Sequence, residues 1–461
     1  MTLFGTAGIR GPVEDVSPSL ALAVGQAAGE PGATFVVGRD GRETGPALAA
    51  AMEAGLESAG ADVRRVGQVP TPALAFASRG RHGVMLTASH NPPADNGIKL
   101  FVDGVEYDSG AEQVIDDRVA SDESRLAGWE EWGDSEHLAV LERYRDAVVG
   151  YVREQFGGAD ATAASTPLSG LRIAVDCGNG VGALATPQVL ERLGATVIAI
   201  NAAVDGHFPG RESKPTPETL SAFSDFLDDG AFDLGLAHDG DADRLVVLGP
   251  DGDVIHEDTI LAVVAAHYTA DSDADDPVVV TTPNASARID EQARAAGGRV
   301  ERVSLGALHE GIARERSQGT DDTELVFAAE PWKHIHTAFG GWIDGVASAA
   351  VVAALVADAG DTDRLREPVT ERPYRKVSVD CPDEAKADAM AALETALPDA
   401  FPDAAVETEY GVRLEFSDAS WLLVRPSGTE PYIRLYAESD AVDDLVADAR
   451  SVIETAIERS K

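Results

Sequence analysis

The chain has 461 residues, 44% of them hydrophobic and only 6% aromatic, with 37 basic side chains against 79 acidic ones and a formal net charge of −42. A chain of that length exceeds what one hydrophobic core serves and predicts about three or four domains. The balance fits a globular α/β protein and argues against a disordered chain, and so acidic a surface argues against a nucleic-acid partner.

The excess negative charge runs along the whole chain and is not gathered into a tail. Self-repulsion of that size destabilises a fold in dilute buffer unless salt screens it, so the expectation is halophilic adaptation. Lysine occurs only at 99, 214, 333, 376, 386 and 461, which gives each lysine beside a polar loop added weight. The N-terminal residues show no signal-peptide pattern. The longest apolar stretch, Val346 to Ala357, lies between Asp344 and Asp358 and is too short for a bilayer, so it predicts a buried helix. The two cysteines, Cys177 and Cys381, make neither a disulfide framework nor a metal motif. The expectation is a cytoplasmic protein, monomer or homodimer, with no membrane partner.

In chain order, a unit is written three times. A β-branched apolar run comes first, at 33–38, 171–176 and 277–282. A helix-period segment follows and closes on a glycine, and then a second strand at Gly60–Val63, Gly194–Val197 and Gly297–Val300. A second helix comes next, twice announced by Pro-Thr-Pro at 70–72 and 215–217, and then a third strand at 83–86, 233–237 and 324–327. The order β-α-β-α-β predicts right-handed crossovers and mostly parallel, helix-covered sheets. After about Arg366 the unit stops. A strand, a helix over 383–397 and strands near 412–416, 421–425 and 432–438 predict a smaller α+β module.

Each third strand runs into a polar loop: Thr87-Ala-Ser-His-Asn-Pro92, His238-Asp-Gly-Asp-Ala-Asp-Arg244 and Ala329-Glu-Pro-Trp-Lys-His334. Ligands bind at the carboxyl ends of strands in such sheets, so three loops can serve one cleft. Asp239, Asp241 and Asp243 alternate with small residues and can aim three hard oxygens at one point, as Mg²⁺ prefers. A solvated acidic turn or a calcium loop is the other reading. Arg244 can hold a phosphoryl oxygen. Ser89 is either a nucleophile or phosphate carrier, or the cap of a turn; no Gly-x-Ser-x-Gly elbow makes it a hydrolase serine. Lys99 is either a proton-exchanging group, if burial lowers its pKa, or a surface strand lysine. Arg425, Ser427, Gly428 and Thr429 offer a guanidinium, two hydroxyls and backbone amides in one turn, a cradle for phosphate or an ordinary hairpin turn. Arg10 can add charge to the same cleft. Glu330 and His334 are either candidates for sugar hydroxyls or plain surface residues, and Lys333 is a candidate for extra anionic charge.

These motifs resemble one family, the α-D-phosphohexomutases, which includes phosphoglucomutase, phosphomannomutase and phosphoglucosamine mutase. The resemblance rests on four motifs in order: FGTAGIRG at 4–11, TASHNP at 87–92, DGDADR at 239–244 and RPSGTEP at 425–431. It implies three similar α/β domains with mixed, mostly parallel sheets plus a smaller α+β domain around a central cleft, divided at 1–150, 151–256, 257–366 and 367–461. It also implies a phosphorylated Ser89 and one Mg²⁺ held by Ser89, Asp239, Asp241 and Asp243. Arg10, His90 and Lys99 would serve the catalytic end, and the 425–431 loop would grip the non-reacting phosphate. The implied activity interconverts a hexose 1-phosphate and 6-phosphate, glucose or mannose first, through a bisphosphorylated intermediate, with a sugar bisphosphate as activator. A halophilic archaeon is the expected source. Phosphoglucosamine mutase is the alternative within the family, and a sugar-phosphate phosphatase or non-catalytic sensor the alternative outside it. The third loop departs from the family's Gly-Glu-x-Ser-Gly-His pattern: Trp332 and Lys333 replace the serine and glycine.

Overall fold

The threefold β-α-β-α-β order is present in the computed structural model, which describes residues 3–5, 8–121, 126–157, 165–427 and 430–460. The first-strand runs are Thr34–Arg39, Arg172–Asp176 and Asp276–Thr281, each within one residue of the expected limits. Their helices end where expected because Gly60, Gly194 and Gly297 take φ of +91°, +105° and +96°, the left-handed step that turns a chain off a helix end at no steric cost. The second helix of the second repeat is Ser221–Asp228, four residues past Pro217. A residue before proline is steered from the α region, so Pro215-Thr-Pro217 delays that helix.

The chain divides into two compact units, Met1–Ile260 with Phe327–Arg366, and Leu261–Val326 with Glu367–Lys461. In the first unit, one sheet runs in the order Ile9–Pro12, Asp95–Val102, His82–Leu86, Thr34–Arg39, Asp62–Gln68, Ser135–His137, with Val105–Glu106 paired to Asp95–Val102. The repeat strands are parallel, whereas Asp95–Val102 runs antiparallel to both its neighbours. That strand is therefore interior to the sheet. A second sheet orders Val246–Leu248, Leu234–Ala237, Arg172–Asp176 and Thr196–Ile200, all parallel but the first pair.

The apolar run after Asp344 is the helix Gly345–Ala359, buried from Gly345 through Val356. Asp344 caps it, accepting from Ala347 N at 2.8 Å and also from Tyr144 OH at 2.7 Å and Trp342 Nε1 at 2.9 Å. The buried carboxylate is thus satisfied by three donors, as burial demands.

In the second unit, Tyr374–Asp380, Tyr432–Glu438, Trp421–Pro426, Val412–Glu415 and Ala405–Glu407 form an antiparallel sheet in that order. Leu422, Val424, Ile433 and Leu435 face helices Asp383–Ala400 and Val442–Ser460, while Trp421, Leu423 and Tyr436 pack on the other face with Ala287. Burial on both faces explains why the strand from Trp421 reads as an unbroken apolar run. Among the described residues no helix is long and apolar enough to cross a membrane.

Candidate active site

The first unit brings two of the polar loops together. Ser89, fully buried, donates from Oγ to Asp239 Oδ2 at 2.7 Å, across 150 residues of sequence. Its φ of +51° is a left-handed conformation that costs a non-glycine residue roughly 1–2 kcal/mol and persists only where surroundings impose it. Ser89 N donates to Thr87 Oγ1 at 2.8 Å, so the loop is held from within as well. Gly240 makes the approach possible: a Cβ there would meet Ser89 O at 2.7 Å.

Asp239, Asp241 and Asp243 are all buried, with one carboxylate oxygen from each lying within 4.8 Å of the others. Thr71 Oγ1 donates to Asp241 Oδ2 at 2.7 Å, and Thr71 N to Asp241 O at 3.0 Å, so the start of the helix Thr71–Ala77, at the first Pro-Thr-Pro segment, steadies the aspartate loop. Asp241 Oδ1 and Asp243 Oδ1 are buried without a hydrogen-bond partner among the described residues. Burial first, then repulsion from Asp243 and Asp241, pushes Asp239 well above the usual carboxylate range. Asp243 moves the other way: burial alone would raise it, but Lys99 and Arg244 hold it well below. Three converging buried carboxylates, two of which keep an oxygen without a donor among the described residues, fit a divalent cation such as Mg²⁺ better than a solvated turn.

Lys99 is not a surface residue. Its place on an interior strand leaves it 3% exposed, with Nζ 2.9 Å from Asp243 Oδ2, 3.4 Å from Glu106 Oε1 and 3.8 Å from Asp241 Oδ2. The expected lowering of its pKa by burial does not occur. Burial does act in that direction, but Asp243, Glu106 and Asp241 outweigh it and hold the ammonium above its ordinary value. Lys99 is a fixed cation here, not a base. Arg244 Nε lies 3.7 Å from Asp239 Oδ2 and 3.8 Å from Asp243 Oδ1. His90 Nδ1 is 3.2 Å from Ser89 Oγ, and its pKa falls to about 3 through burial and then the nearby charges of Arg244, Arg10 and Lys214. It is a neutral imidazole at neutral pH. Arg10, on the strand Ile9–Pro12, keeps Nε buried with no hydrogen-bond acceptor among the described residues.

The third loop is a tight hairpin in which Glu330 pairs with Lys333 and Ala329 with His334. Pro331 and Trp332 occupy its two turn positions, Trp332 with φ +67°, the second-position geometry of a type II turn that glycine usually takes. The indole packs with the second repeat's core around Ala174, Leu220 and Phe223. Leu245 N donates to Trp332 O at 3.0 Å, tying this hairpin to the exit of the aspartate loop. Lys333 Nζ lies 3.3 Å from Glu330 Oε2. The pleat turns His334 to the opposite face from that pair. It is buried against Phe327 and His336, and burial lowers its pKa to about 4. The structure therefore does not present His334 together with Glu330 and Lys333.

In the second unit, Arg425 Nη2 reaches Tyr436 OH at 3.4 Å, and its Nε is buried without an acceptor among the described residues. Ser427 N donates to Tyr432 O at 3.0 Å, and Glu430 N to Ser427 Oγ at 3.2 Å. Gly428 and Thr429 lie outside the described residues. Lys386 Nζ donates to the carbonyls of Ser427, at 2.8 Å, and Glu430, holding the turn from its helix.

Sequence reasoning missed Lys386 and also Asp40, Arg42, Thr71, Asp176 and Arg211. Arg42 and Arg211 are buried and donate to the carbonyls of Ser89 and His238 at 2.9 and 2.6 Å. A signal existed: Asp40-Gly41-Arg42 follows the carboxyl end of a first strand, and Asp176 closes the equivalent strand. Nothing local marks Arg211, which lies 35 residues from its partner Asp176.

Family models described as phosphoglucomutase/phosphomannomutase match the chain over residues 1–126 (alpha/beta/alpha domain I), 150–252 (alpha/beta/alpha domain II) and 377–455 (C-terminal domain). A phosphopentomutase of Thermococcus kodakarensis is 39% identical over 446 residues, covering 95% of this chain and 94% of the relative. A probable phosphoglucosamine mutase of Methanopyrus kandleri is 40% identical over 454 residues, with 95% and 94% covered. A solved phosphoglucomutase/phosphomannomutase family protein of Burkholderia thailandensis superposes with a TM-score of 0.81 at 24% identity, over 100% of this chain and 97% of that one. That likeness concerns the fold. The matching domain models and full-length relatives show that this chain belongs to the α-D-phosphohexomutases and is a phosphomutase of the isomerase class.

Proposed function

We propose that this chain interconverts the 1-phosphate of a sugar and the phosphate at its far end, with Ser89 as the phosphoryl carrier. The observation that supports this most is the 2.7 Å contact of Ser89 Oγ with Asp239, beside two more aspartates, Lys99 and Arg244. In the first half-reaction the P–O bond to Ser89 breaks and a new one forms to the sugar hydroxyl, giving a bisphosphate. The hydroxyl's proton has a neutral acceptor close to Oγ, the ring of His90. In the second half the other phosphate returns to Ser89. Lys99, Arg244 and Arg10 supply positive charge around the transferring group, which is most of what such a reaction asks of a protein. Mg²⁺ held by Asp239, Asp241, Asp243 and the phosphorylated serine would neutralise phosphoryl charge. The reading assigns the non-reacting phosphate to Arg425, Ser427, Gly428 and Thr429. It keeps the division at 1–150, 151–256, 257–366 and 367–461, and it makes a sugar bisphosphate the activator.

For the sugar, glucose and mannose phosphates stand first. Glu330 is already neutralised by Lys333, so the hairpin offers a hydroxyl one acceptor and one donor. An amino sugar would bring its own ammonium toward Lys333, at a Coulombic cost. Glucosamine phosphate is nonetheless the second reading, supported by the relative named a probable phosphoglucosamine mutase, and a pentose phosphate the third, supported by the relative named phosphopentomutase. The test is a panel of glucose, mannose, glucosamine and ribose 1-phosphates with Mg²⁺ and catalytic sugar bisphosphate, following isomer and free phosphate together. Preferred turnover of glucosamine phosphate would overturn the hairpin argument. Release of free phosphate in place of isomer would make the protein a phosphatase, and binding without either would make it a sensor.

A further inference from the structure

The first two repeats carry the same device at the same place. In the first, Asp40 stands just past the strand Thr34–Arg39, and its Oδ1 accepts from the N–H two residues on, Arg42 N at 2.9 Å, while Oδ2 accepts from Arg42 Nε at 3.1 Å. In the second, Asp176 ends the strand Arg172–Asp176. Its Oδ1 accepts from the N–H two residues on, Gly178 N at 2.8 Å, and its Oδ2 from Arg211 Nε at 2.7 Å. Each aspartate thus orients one buried guanidinium, and each guanidinium donates on to the backbone of the polar loop next door, Arg42 through several carbonyls and Arg211 through one, its other donors going to Glu212 O and to Asp176 O at 3.4 Å. Arg42 gives Nη2 to Ser89 O at 2.9 Å and Asn91 O at 2.8 Å, and Nη1 to Asp95 O at 2.9 Å and Pro92 O. All five of its donors are engaged. Arg211 gives Nη2 to His238 O, one residue before Asp239, and Nη1 to Glu212 O at 3.0 Å.

The segment that carries Arg211 also joins the two devices. Phe208, itself left-handed at φ +51°, lays its ring 5.2 Å from the Arg42 guanidinium carbon. Ser213 Oγ donates to Asn91 O at 3.1 Å. A Cβ on Gly206 would meet Gly41 O at 2.6 Å, so the loops pack backbone to backbone. We propose that Arg42 and Arg211 are positioning residues for phosphoryl transfer: a duplicated aspartate–arginine clamp sets the separation of Ser89 from the three aspartates, and Phe208 couples one clamp to the other. This rests on the carrier role of Ser89 proposed above. Turning a carbonyl toward a fixed fork of donors fixes the peptide on both sides of it, and hence where the adjacent side chain points. Lysine, a point charge with one nitrogen, cannot replace that fork. A misplacement on the order of 1 Å costs a reaction about 100-fold.

The experiment compares Arg42→Lys, Arg211→Lys, the double variant and Phe208→Leu, each checked as folded by circular dichroism in molar KCl. Phosphorylation of Ser89 by glucose 1,6-bisphosphate is followed by mass spectrometry in single turnovers, and Mn²⁺ binding by electron paramagnetic resonance. The expected result for each arginine variant is a rate lower by about 100-fold with half-saturation changed less than about threefold. The double variant should cost clearly less than the product of the two, since both act on one separation. Mn²⁺ should bind more weakly in Arg211→Lys and unchanged in Arg42→Lys. Rates within threefold of wild type in the folded variants, or strictly multiplicative losses, would overturn the proposal. Should Arg42→Lys fail to fold, an unaltered rate in Arg211→Lys and Phe208→Leu overturns it equally. A wild type that takes no phosphate on Ser89 counts against the carrier reading instead, and the Mn²⁺ arm then decides the clamp on the aspartate loop alone.

Discussion

Replacing Lys99 by methionine removes one charge from a cluster that contains three buried carboxylates. The stem keeps its packing, but Asp243 Oδ2 loses its donor at 2.9 Å, and both partners of that ion pair are 3% exposed. Breaking a pair so buried costs about 3–5 kcal/mol, because the remaining charge stays desolvated and unpaired. For a body of this size each kcal/mol moves the melting temperature by roughly 2 °C, so the loss is roughly 6–10 °C. The assay is thermal unfolding in EDTA and molar KCl, with Asp243→Asn and the double variant completing a cycle. The double variant should recover most of the loss, since it removes the orphaned charge along with its partner. Adding Mg²⁺ to Lys99→Met should recover part of it, by binding only the folded form. A Lys99→Met protein melting within 1 °C of wild type in EDTA, or a double variant no better than the single one, would refute the reasoning about ~3–5 kcal/mol of buried pairing.

Ser89→Ala should lower turnover by about 10⁴-fold or more while leaving calorimetric binding of a sugar phosphate nearly intact; full activity would end the carrier reading. His334 is held neutral with a pKa of about 4, below the ordinary value of 6.5. The unfolded chain takes up that proton first, so this residue's share of stability is complete above pH 6.5 and drains away as pH falls through 4, by up to about 3 kcal/mol. Denaturant titrations of His334→Leu against wild type should show a shallower acid limb in the variant; parallel limbs would contradict it. With a net charge of −42, the melting temperature should climb steeply from dilute buffer to molar KCl, and a flat profile would rule out halophilic adaptation.

Much of this site was legible in the one-dimensional chain because its parts are local. Asp239, Asp241 and Asp243 alternate within five residues, and a strand-end loop is where an α/β sheet exposes chemistry, so their convergence needed no long-range information. The repeat could be read from periodicity and from glycines that must follow a helix end. Lys99 could not be placed, because burial depends on which strands flank it: Asp95–Val102 became interior only when Ile9–Pro12 paired on its far side. That the ammonium stays a fixed cation despite this burial was decided by the carboxylates of Asp243, Glu106 and Asp241 around it.

Composition, the β-α-β-α-β order and the identity of the loop residues belong to the sequence, since each follows from neighbours a few positions apart. Tertiary structure alone decided that Ser89 meets Asp239 across 150 residues and that His334 turns away from Glu330 and Lys333. It also decided that Arg42 and Arg211 end on carbonyls 47 and 27 residues distant. Those outcomes depend on which groups share a buried volume, where an unpaired polar group is costly and most donors find an acceptor, and no local pattern encodes that pairing.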